Sequence, residues 1–299
     1  MNREKYDIVH THLFESSLAG LVAARIARVR NRIVTRHHSD YHHAYFPSSV
    51  KYDRLINSLA TRIVAVSSNV RNILISAEHA DPAKIITIPH GIDAGEFHPD
   101  SVSDERISLI RNKYHLPPAA PVIGVVSRFI AWKGIQFIIP AFMDLKKKYP
   151  NALLILANAQ GPYIEQVSEM LRVLPAGDYR LIPFEADIPA LLNAFTCFVH
   201  VPVSETAEAF GQVYIEALAA GVPSVITRSG VALDYAVDGH NCLLVPYRDS
   251  AAISLALQRI LSSPDLAARL RLHGYEVVGN HYHIRDKYTA LSQLYDEMN

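Results

Sequence analysis

Short runs of consecutive apolar, mostly β-branched residues recur along the chain and alternate with longer segments whose apolar positions follow the helical period. Ten runs predict strands: DIVHTH, RIVTRH, RIVAVS, IITIPHG, PVIGVVS, ALLILAN, YRLIPF, CFVHVPV, VPSVIT and NCLLVP. Segments such as ESSLAGLVAARIARV, SLIRNKYHL, GIQFIIPAFMDLKKKYP and FGQVYIEALAAG predict helices between them. Strands apolar on both faces need cover on both faces. Separated by helices, they make βαβ units and a parallel sheet sandwiched between helical layers. Ten strands are many for one open sheet. Residues 90–105, HGIDAGEFHPDSVSDE, are polar and turn-rich and read as the join between two α/β domains. The expected division is a first domain over residues 1–100, a second over 101–280, and a helical end over 281–299 that packs back on the first.

Composition narrows the functional classes. The chain has 299 residues, 49% of them hydrophobic and 19% charged, enough apolar material for two packed cores. Lys+Arg and Asp+Glu both count 29, so there is no basic excess of the kind that general nucleic-acid binders carry. Cys197 and Cys242 sit in apolar runs and read as free buried thiols of a reducing compartment. The opening MNREKYD is charged and no apolar leader follows it. No apolar stretch is long enough to span a bilayer. The expected location is the cytoplasm, a reading compatible with peripheral association at the inner face of a membrane.

Ligands of parallel α/β sheets bind at the carboxyl ends of the strands, and charged residues gather there. SRFIAWKG, residues 127–134, follows the strand PVIGVV. Arg128 and Lys133 leave one strand end together, with Gly134 opening a helix, which makes a natural diphosphate cradle. Glu208 falls in a loop after CFVHVPV, Gly211 starts a helix and Gly221 stops it. Glu216 is then inside the helix. Were all eight steps helical, the two acids would stand roughly 80° apart, which disfavours a same-face hydrolase dyad. With Glu208 in the loop, both can reach one long ligand, and the amides around Phe210, Gly211 and Gln212 face anionic oxygens between them. The histidine pairs HTH and HHSDYHH could suggest a metal, but no tight ligand set stands out. No D-x-D, G-x-G-x-x-G or G-K-[ST] occurs.

E-A-F-G-x4-E followed by ALAAGVPSV, with R-x4-K-G upstream, resembles the signature of retaining nucleotide-sugar glycosyltransferases of family 4, with the GT-B architecture of two Rossmann-like domains. DIVHTH, VTRHH, IVAVSS and IPHGIDAGEF are similar to that family's amino-domain motifs. The resemblance implies that Glu208 contacts the donor sugar and Glu216 the ribose hydroxyls, while Arg128 and Lys133 bind the diphosphate. It matches His37, or the adjacent His38, to the histidine that faces acceptor and phosphates, and it places Ile182 and Phe184 where backbone meets the base. It implies a UDP-, GDP- or ADP-sugar donor, a saccharide or lipid-linked acceptor, retention without a metal, and no separate cofactor.

Two departures from the family pattern stand out. The strand ALLILAN usually leads into a V-G-x-G-P-like turn, whereas Ala157-Asn158-Ala159-Gln160 precede Gly161-Pro162 here. Family members also carry several βα units ahead of the counterpart of DIVHTH. The first domain is therefore expected to be truncated, with the strand at 6–12 exposed as an apolar edge. That expectation supports an alternative reading, an inactive or partial protein that binds nucleotide sugar without efficient transfer. An epimerase or phosphorylase on the same scaffold is disfavoured by the E-A-F-G-x4-E block and by the lack of a pyridoxal-phosphate lysine segment.

Overall fold

The computed structural model describes residues 6–298; the charged opening at 1–5 and Asn299 lie outside it. All ten expected strands form: β1 (Ile8–His12), β2 (Asn31–Arg36), β3 (Arg62–Ala65), β4 (Ile85–Thr87), β5 (Val122–Val126), β6 (Leu153–Ala157), β7 (Tyr179–Ile182), β8 (Cys197–His200), β9 (Ser224–Ile226) and β10 (Leu243–Leu244). They make two parallel sheets, one of four strands in the order β1-β2-β3-β4 and one of six in the order β10-β9-β8-β5-β6-β7. The second order is that of the doubly wound nucleotide-binding fold, with its first strand, β5, beside its fourth, β8. The architecture is that of two Rossmann-like domains.

The helix patterns resolve as helices at Phe14–Ile26, Asp104–Lys113, Ile135–Lys146 and Gln212–Ala219. In the second domain β5, β6 and β8 are buried along their lengths, apart from the half-buried Val126. Helices Ile135–Lys146 and Ser250–Ser262 cover one face with Ile138, Phe142, Ile253 and Leu257. The other face belongs to a core that continues into the first domain, from Leu21 and Val34 through Phe210 and Tyr214 to Tyr282. In the first sheet β1 pairs with β2 alone among the described residues, and only Thr11 of its five residues is buried.

The join is more ordered than its composition suggests. Phe97 and Val102 are buried, so the stretch folds into a short helix at Ala94–Phe97 and leads into Asp104–Lys113, whose first turn Ser103 caps. The chain crosses between domains twice, and the crossings pair. Ile92 N donates to Tyr282 O at 2.9 Å, and Ile284 N donates to Ile92 O at 3.0 Å. Gly91 allows this contact, because a Cβ there would lie 2.7 Å from the Ile284 Cα. After the second crossing, helix Ile284–Asp296 lies against the first sheet. Leu294 packs with Ile33, Val64 and Ile88, and the Tyr295 hydroxyl pairs with His10 Nδ1 at 2.6 Å.

The first domain encloses a charged cluster. Arg36, at the end of β2, is 3% exposed; it donates to Asp53 Oδ1 at 3.0 Å, to Asn57 Oδ1 at 2.9 Å and to Glu78 Oε2 at 2.7 Å. Burial pushes the Asp53 carboxyl up, but hydrogen bonds from His38 and His42 and the charge of Arg36 hold it below the usual range. Removing one member of a buried pair leaves an uncompensated charge. Arg36→Met is accordingly expected to destabilise the protein by about 3–5 kcal/mol, read from urea unfolding monitored by circular dichroism. A loss below about 1 kcal/mol, the range of an exposed pair, would mean that the cluster does not hold this domain together.

Candidate active site

A cleft of about 550 Å³ opens between the domains. Arg128, Trp132 and Lys133 reach it from the turn after β5, Glu208 through Gln212 from the turn after β8, and His37, Tyr45 and His90 from the first domain. The β5 turn is shaped by Gly134, which adopts φ +80. A Cβ there would stand 1.9 Å from Val201 O, so the turn can press against the end of β8 only with glycine. Val203 N donates to Trp132 O at 2.9 Å and ties the two turns together.

That approach sets Lys133 on Glu208, with Nζ 2.5 Å from Oε1. His200 Nε2 lies 2.8 Å from the same oxygen. Glu208 is 6% exposed. Burial pushes its carboxyl up, but the charge of Lys133 and the hydrogen bond from His200 outweigh it and hold the group at about 2. Glu208 is therefore ionised, and among the described residues only its Oε1 accepts a hydrogen bond. The backbone is pinned as firmly. Glu208 N donates to Ser229 Oγ at 3.1 Å, and the Glu208 carbonyl accepts from Asn69 Nδ2 of the other domain at 2.7 Å. Gly230, at φ +59, lets the turn after β9 close behind, since a Cβ would meet Phe210 O at 2.6 Å.

Gly211, at φ +83, caps helix Gln212–Ala219, and Gly211 and Gln212 line the cleft at the helix start, where the first amides lack helical acceptors. Phe210 is 4% exposed and lies edge-on to His90, with centroids 5.0 Å apart. Glu216 is half-buried one turn below Gln212, whose Nε2 donates to its Oε1 at 3.0 Å. Burial raises the Glu216 carboxyl above its ordinary range, against that hydrogen bond. Glu216 does not line the cleft itself. Neither do Ile182 and Phe184, at the end of β7. Ile182 is buried and its carbonyl accepts from Ala159 N at 3.0 Å, while Phe184 is 72% exposed. The atypical turn after β6 keeps the left-handed bend that glycine would give, with Asn158 at φ 59 in its place. Asparagine tolerates that conformation better than other side chains do.

Arg128 is exposed, lines the cleft, and has no ion-pair partner among the described residues. Lys133, Glu208 and the start of helix Gln212–Ala219 thus border one cleft with the unpaired Arg128 guanidinium, an arrangement that could receive an anionic ligand. His200, Asn69 and Ser229 were not anticipated from the sequence. His200 alone left a signal, as a polar residue inside an apolar strand. It is 1% exposed and its Nδ1 has no hydrogen-bond partner among the described residues, a cost borne to keep Nε2 on Glu208.

His37 belongs to a row. His10 stacks on His12 at 4.4 Å, His12 Nδ1 lies 3.0 Å from His37 Nε2, and His37 stacks on His90 at 5.3 Å. Lys287 Nζ, from the helix after the second crossing, is 3.3 Å from His90 Nδ1. His38 turns away from the row toward Asp53, Nε2 to Oδ1 3.1 Å, with His42 Nδ1 2.7 Å from Oδ2. Ligand atoms of His38, His42 and Asp53 come within 4.8 Å of one another, as a metal would need. The Arg36 guanidinium, 2.6 Å from His38 Nε2, already brings a cation to that group.

The site lies at the carboxyl ends of parallel strands in two Rossmann-like domains, with cations, a buried carboxylate and a helix start facing one cleft; this defines a protein of the GT-B architecture. The chain belongs to the glycosyl transferases group 1 family, which it matches over residues 107–277, and it matches glycosyltransferase family 4 over residues 1–96. It is 29% identical over 279 residues to a GDP-mannose-dependent alpha-(1-6)-phosphatidylinositol monomannoside mannosyltransferase of Mycolicibacterium smegmatis, covering 91% of this chain and 71% of that one. It is 26% identical to the capsular polysaccharide biosynthesis glycosyltransferase CapM of Staphylococcus aureus, over 99% of this chain and 78% of the relative. The crystal structure of Anabaena HepE in complex with UDP and glucose superposes with a TM-score of 0.89 at 20% identity, over 98% of this chain and 78% of HepE. No helix among the described residues is long and apolar enough to cross a membrane.

The histidine row makes stability depend on pH. Burial first, then the neighbouring histidines and Lys287, lower His10, His37 and His90 from 6.5 to about 4. Native imidazoles below their unfolded value are neutral, so their contribution is present above about pH 6.5 and is lost as pH falls toward about 4. Thermal midpoints measured across this range should decline steadily, and the decline should be shallower in His90→Gln. Equal slopes in the two proteins would take His90 out of the titrating set.

Proposed function

We propose that this glycosyltransferase moves a sugar from a nucleotide-diphosphate sugar to a saccharide or lipid-linked acceptor, with retention at the anomeric carbon and without a metal. The observation that carries the reading is the unpartnered Arg128 beside the Lys133–Glu208 pair, at the mouth of a helix start. The donor diphosphate would lie across Arg128 and the amides near Gly211, and Glu208 Oε2 would accept from a sugar hydroxyl. Lys133 would stand between carboxylate and phosphate, neutralising charge as the bond from the anomeric carbon to the phosphate oxygen breaks. The acceptor oxygen would attack from the face that the nucleotide leaves, its proton passing to the departing phosphate. His37, neutral at pH 7 because burial lowers it to about 4, would donate to the phosphates without adding charge. Glu216 would take the ribose hydroxyls, and the β7 end, at Ile182 and Phe184, would lie by the base. The named activities of the M. smegmatis and S. aureus relatives support a cell-envelope acceptor, and UDP with glucose in HepE supports the donor class. A glycolipid acceptor would bring the protein to the inner membrane face.

Two experiments test this. Arg128→Ala and Lys133→Ala should each lower turnover on the order of 10²-fold, with products identified by mass spectrometry from a panel of UDP-, GDP- and ADP-sugars. Transfer at the unmodified rate in both variants would remove the diphosphate assignment. An unmodified protein that binds one of the three nucleotides yet transfers nothing from any donor would favour the binding-only alternative. In calorimetry with UDP, GDP and ADP, Glu216→Gln should weaken the nucleotide that binds tightest, since an amide offers one acceptor oxygen where a carboxylate offers two. Glu208→Gln should spare that affinity and depress turnover. Unchanged affinity in Glu216→Gln would leave Glu216 as an ordinary helix residue bonded to Gln212.

A further inference from the structure

A third cation enters the cleft from a place the donor does not need. Arg248 follows β10, in the loop that leads to helix Ser250–Ser262, and lines the same cavity as Arg128 and Lys133. Its side chain is exposed and has no hydrogen-bond or ion-pair partner among the described residues. The adjacent Asp249 is engaged elsewhere, accepting from Ala252 N at 2.9 Å as the cap of that helix. Arg248 also holds φ 61. That left-handed conformation suits glycine and strains a long side chain, so the position keeps an arginine where the backbone would favour none.

Sheet order says which part of a ligand Arg248 can meet. The strands run β10-β9-β8-β5-β6-β7. A donor laid across the proposed site has its base toward β7, its diphosphate at the β5 turn and its sugar at Glu208 after β8. Arg248, after β10, lies past the sugar, at the end opposite the base. Across the cleft from it stands the first domain's short helix Tyr41–Tyr45. Tyr45 is 50% and Tyr41 37% exposed, with their rings 4.8 Å and 5.6 Å from that of Trp132. Burial and the charge of Asp40 raise the Tyr45 phenol above its ordinary value, against the opposing charge of Arg248. The cleft's second carboxylate, Asp40, accepts from Thr206 Oγ1 through Oδ2 and keeps Oδ1 open. Beside it stands an aromatic wall of the kind on which sugar rings rest, faced by the Arg248 guanidinium.

We infer that Arg248, with Tyr41, Tyr45 and Trp132, forms an acceptor subsite for a saccharide that carries an acidic group, a phosphate or a carboxylate. The inference rests on reading the cleft as a sugar-transfer site, since it is the donor's direction that assigns Arg248 to the acceptor. The guanidinium would hold the acid by a charge-assisted, two-point hydrogen bond, and the aromatic rings would hold the sugar's apolar face. An acidic acceptor is then selected over its neutral counterpart, and the donor is left unaffected.

Calorimetric titrations with glucose 6-phosphate, glucuronate and glucose test this, each with and without saturating nucleoside diphosphate (UDP, GDP or ADP, whichever binds tightest). The unmodified protein should bind the better acidic sugar at least about tenfold tighter than glucose with nucleotide present; the larger of the two preferences distinguishes phosphate from carboxylate. Arg248→Gly should abolish the preference and keep nucleotide affinity, while Arg248→Lys should retain part of it. The glycine variant relieves the backbone strain, so it should melt no lower than the unmodified protein and its result can be read. The inference fails if glucose binds as well as both acids, or if the preference survives in Arg248→Gly. It also fails if nucleotide affinity falls in Arg248→Gly as in Arg128→Ala, which would make Arg248 a donor phosphate ligand. A protein that binds none of the nucleotides would instead overturn the donor reading. In that event the titrations without nucleotide still decide whether Arg248 selects acids.

Discussion

The buried charge of Glu208 is the constraint from which the rest of the site follows. An ionised carboxylate this far from water needs partners at hydrogen-bond distance. Lys133 and His200 supply them at one oxygen, 2.5 Å and 2.8 Å away. Lys133 can be there only because Gly134 lets its turn touch the end of β8, and His200 only because the last residue of β8 points to the same spot. Both donors share Oε1, so the second oxygen remains for a ligand. An oxygen left open beside a lysine already committed to its neighbour is a polarised receptor for hydroxyls, with the ammonium in reach of whatever lies next to them.

The same residue couples the domains. Its carbonyl accepts from Asn69, the Ala209 carbonyl accepts from Ser67 Oγ at 2.5 Å, and Asp234 accepts from Ser68 N at 3.2 Å. All three donors sit at the start of one first-domain helix, Ser68–Ser76, or just before it. Each bond is worth roughly 0.5–1.5 kcal/mol net, and a continuous apolar core runs beneath them. The paired crossings at Ile92 and Ile284 fix the far end of the interface. The cleft is therefore bounded by the paired crossings on one side and by polar contacts to the loop that carries Glu208 on the other. A ligand that draws Glu208 toward itself also loads the contacts that hold the domains together.

Much of this was legible in the sequence, and the reason is local. Parallel strands buried on both faces declare themselves by unbroken apolar runs, so all ten were placed, and the helix carrying Glu216 was bracketed by Gly211 and Gly221, which take φ +83 and +63. Arg128, Lys133, Gly211 and Glu208 meet because strand ends of one sheet must converge on one side. What escaped was set by partners distant in sequence. Nothing near Arg36 in the sequence announces Glu78, the partner 42 residues on that folds against it. The histidines read as scattered pairs because the row is assembled from β1, β2 and the loop after β4. The polar stretch at 90–105 reads as the join it is, but not as the ordered segment that Phe97 and Val102 pull into the core.

The turns that carry the cations show how backbone conformation and charge are traded in this fold. Glycine is used where another backbone must come close: Gly134 against Val201, Gly230 against Phe210, Gly91 against Ile284. Elsewhere the chain places a side chain at a left-handed residue, at the cost of strain. Half-buried Asn158 and exposed Arg248 are two such positions, at φ 59 and 61. Asn158 keeps a turn with a side chain suited to it, so its strain is small. Arg248 has no such suitability, and no neighbour holds its guanidinium in place. Leu13, Arg28, His79 and His115 share that backbone conformation, so what sets Arg248 apart is its place: at the far edge of this sheet the space it faces is the mouth of the cleft.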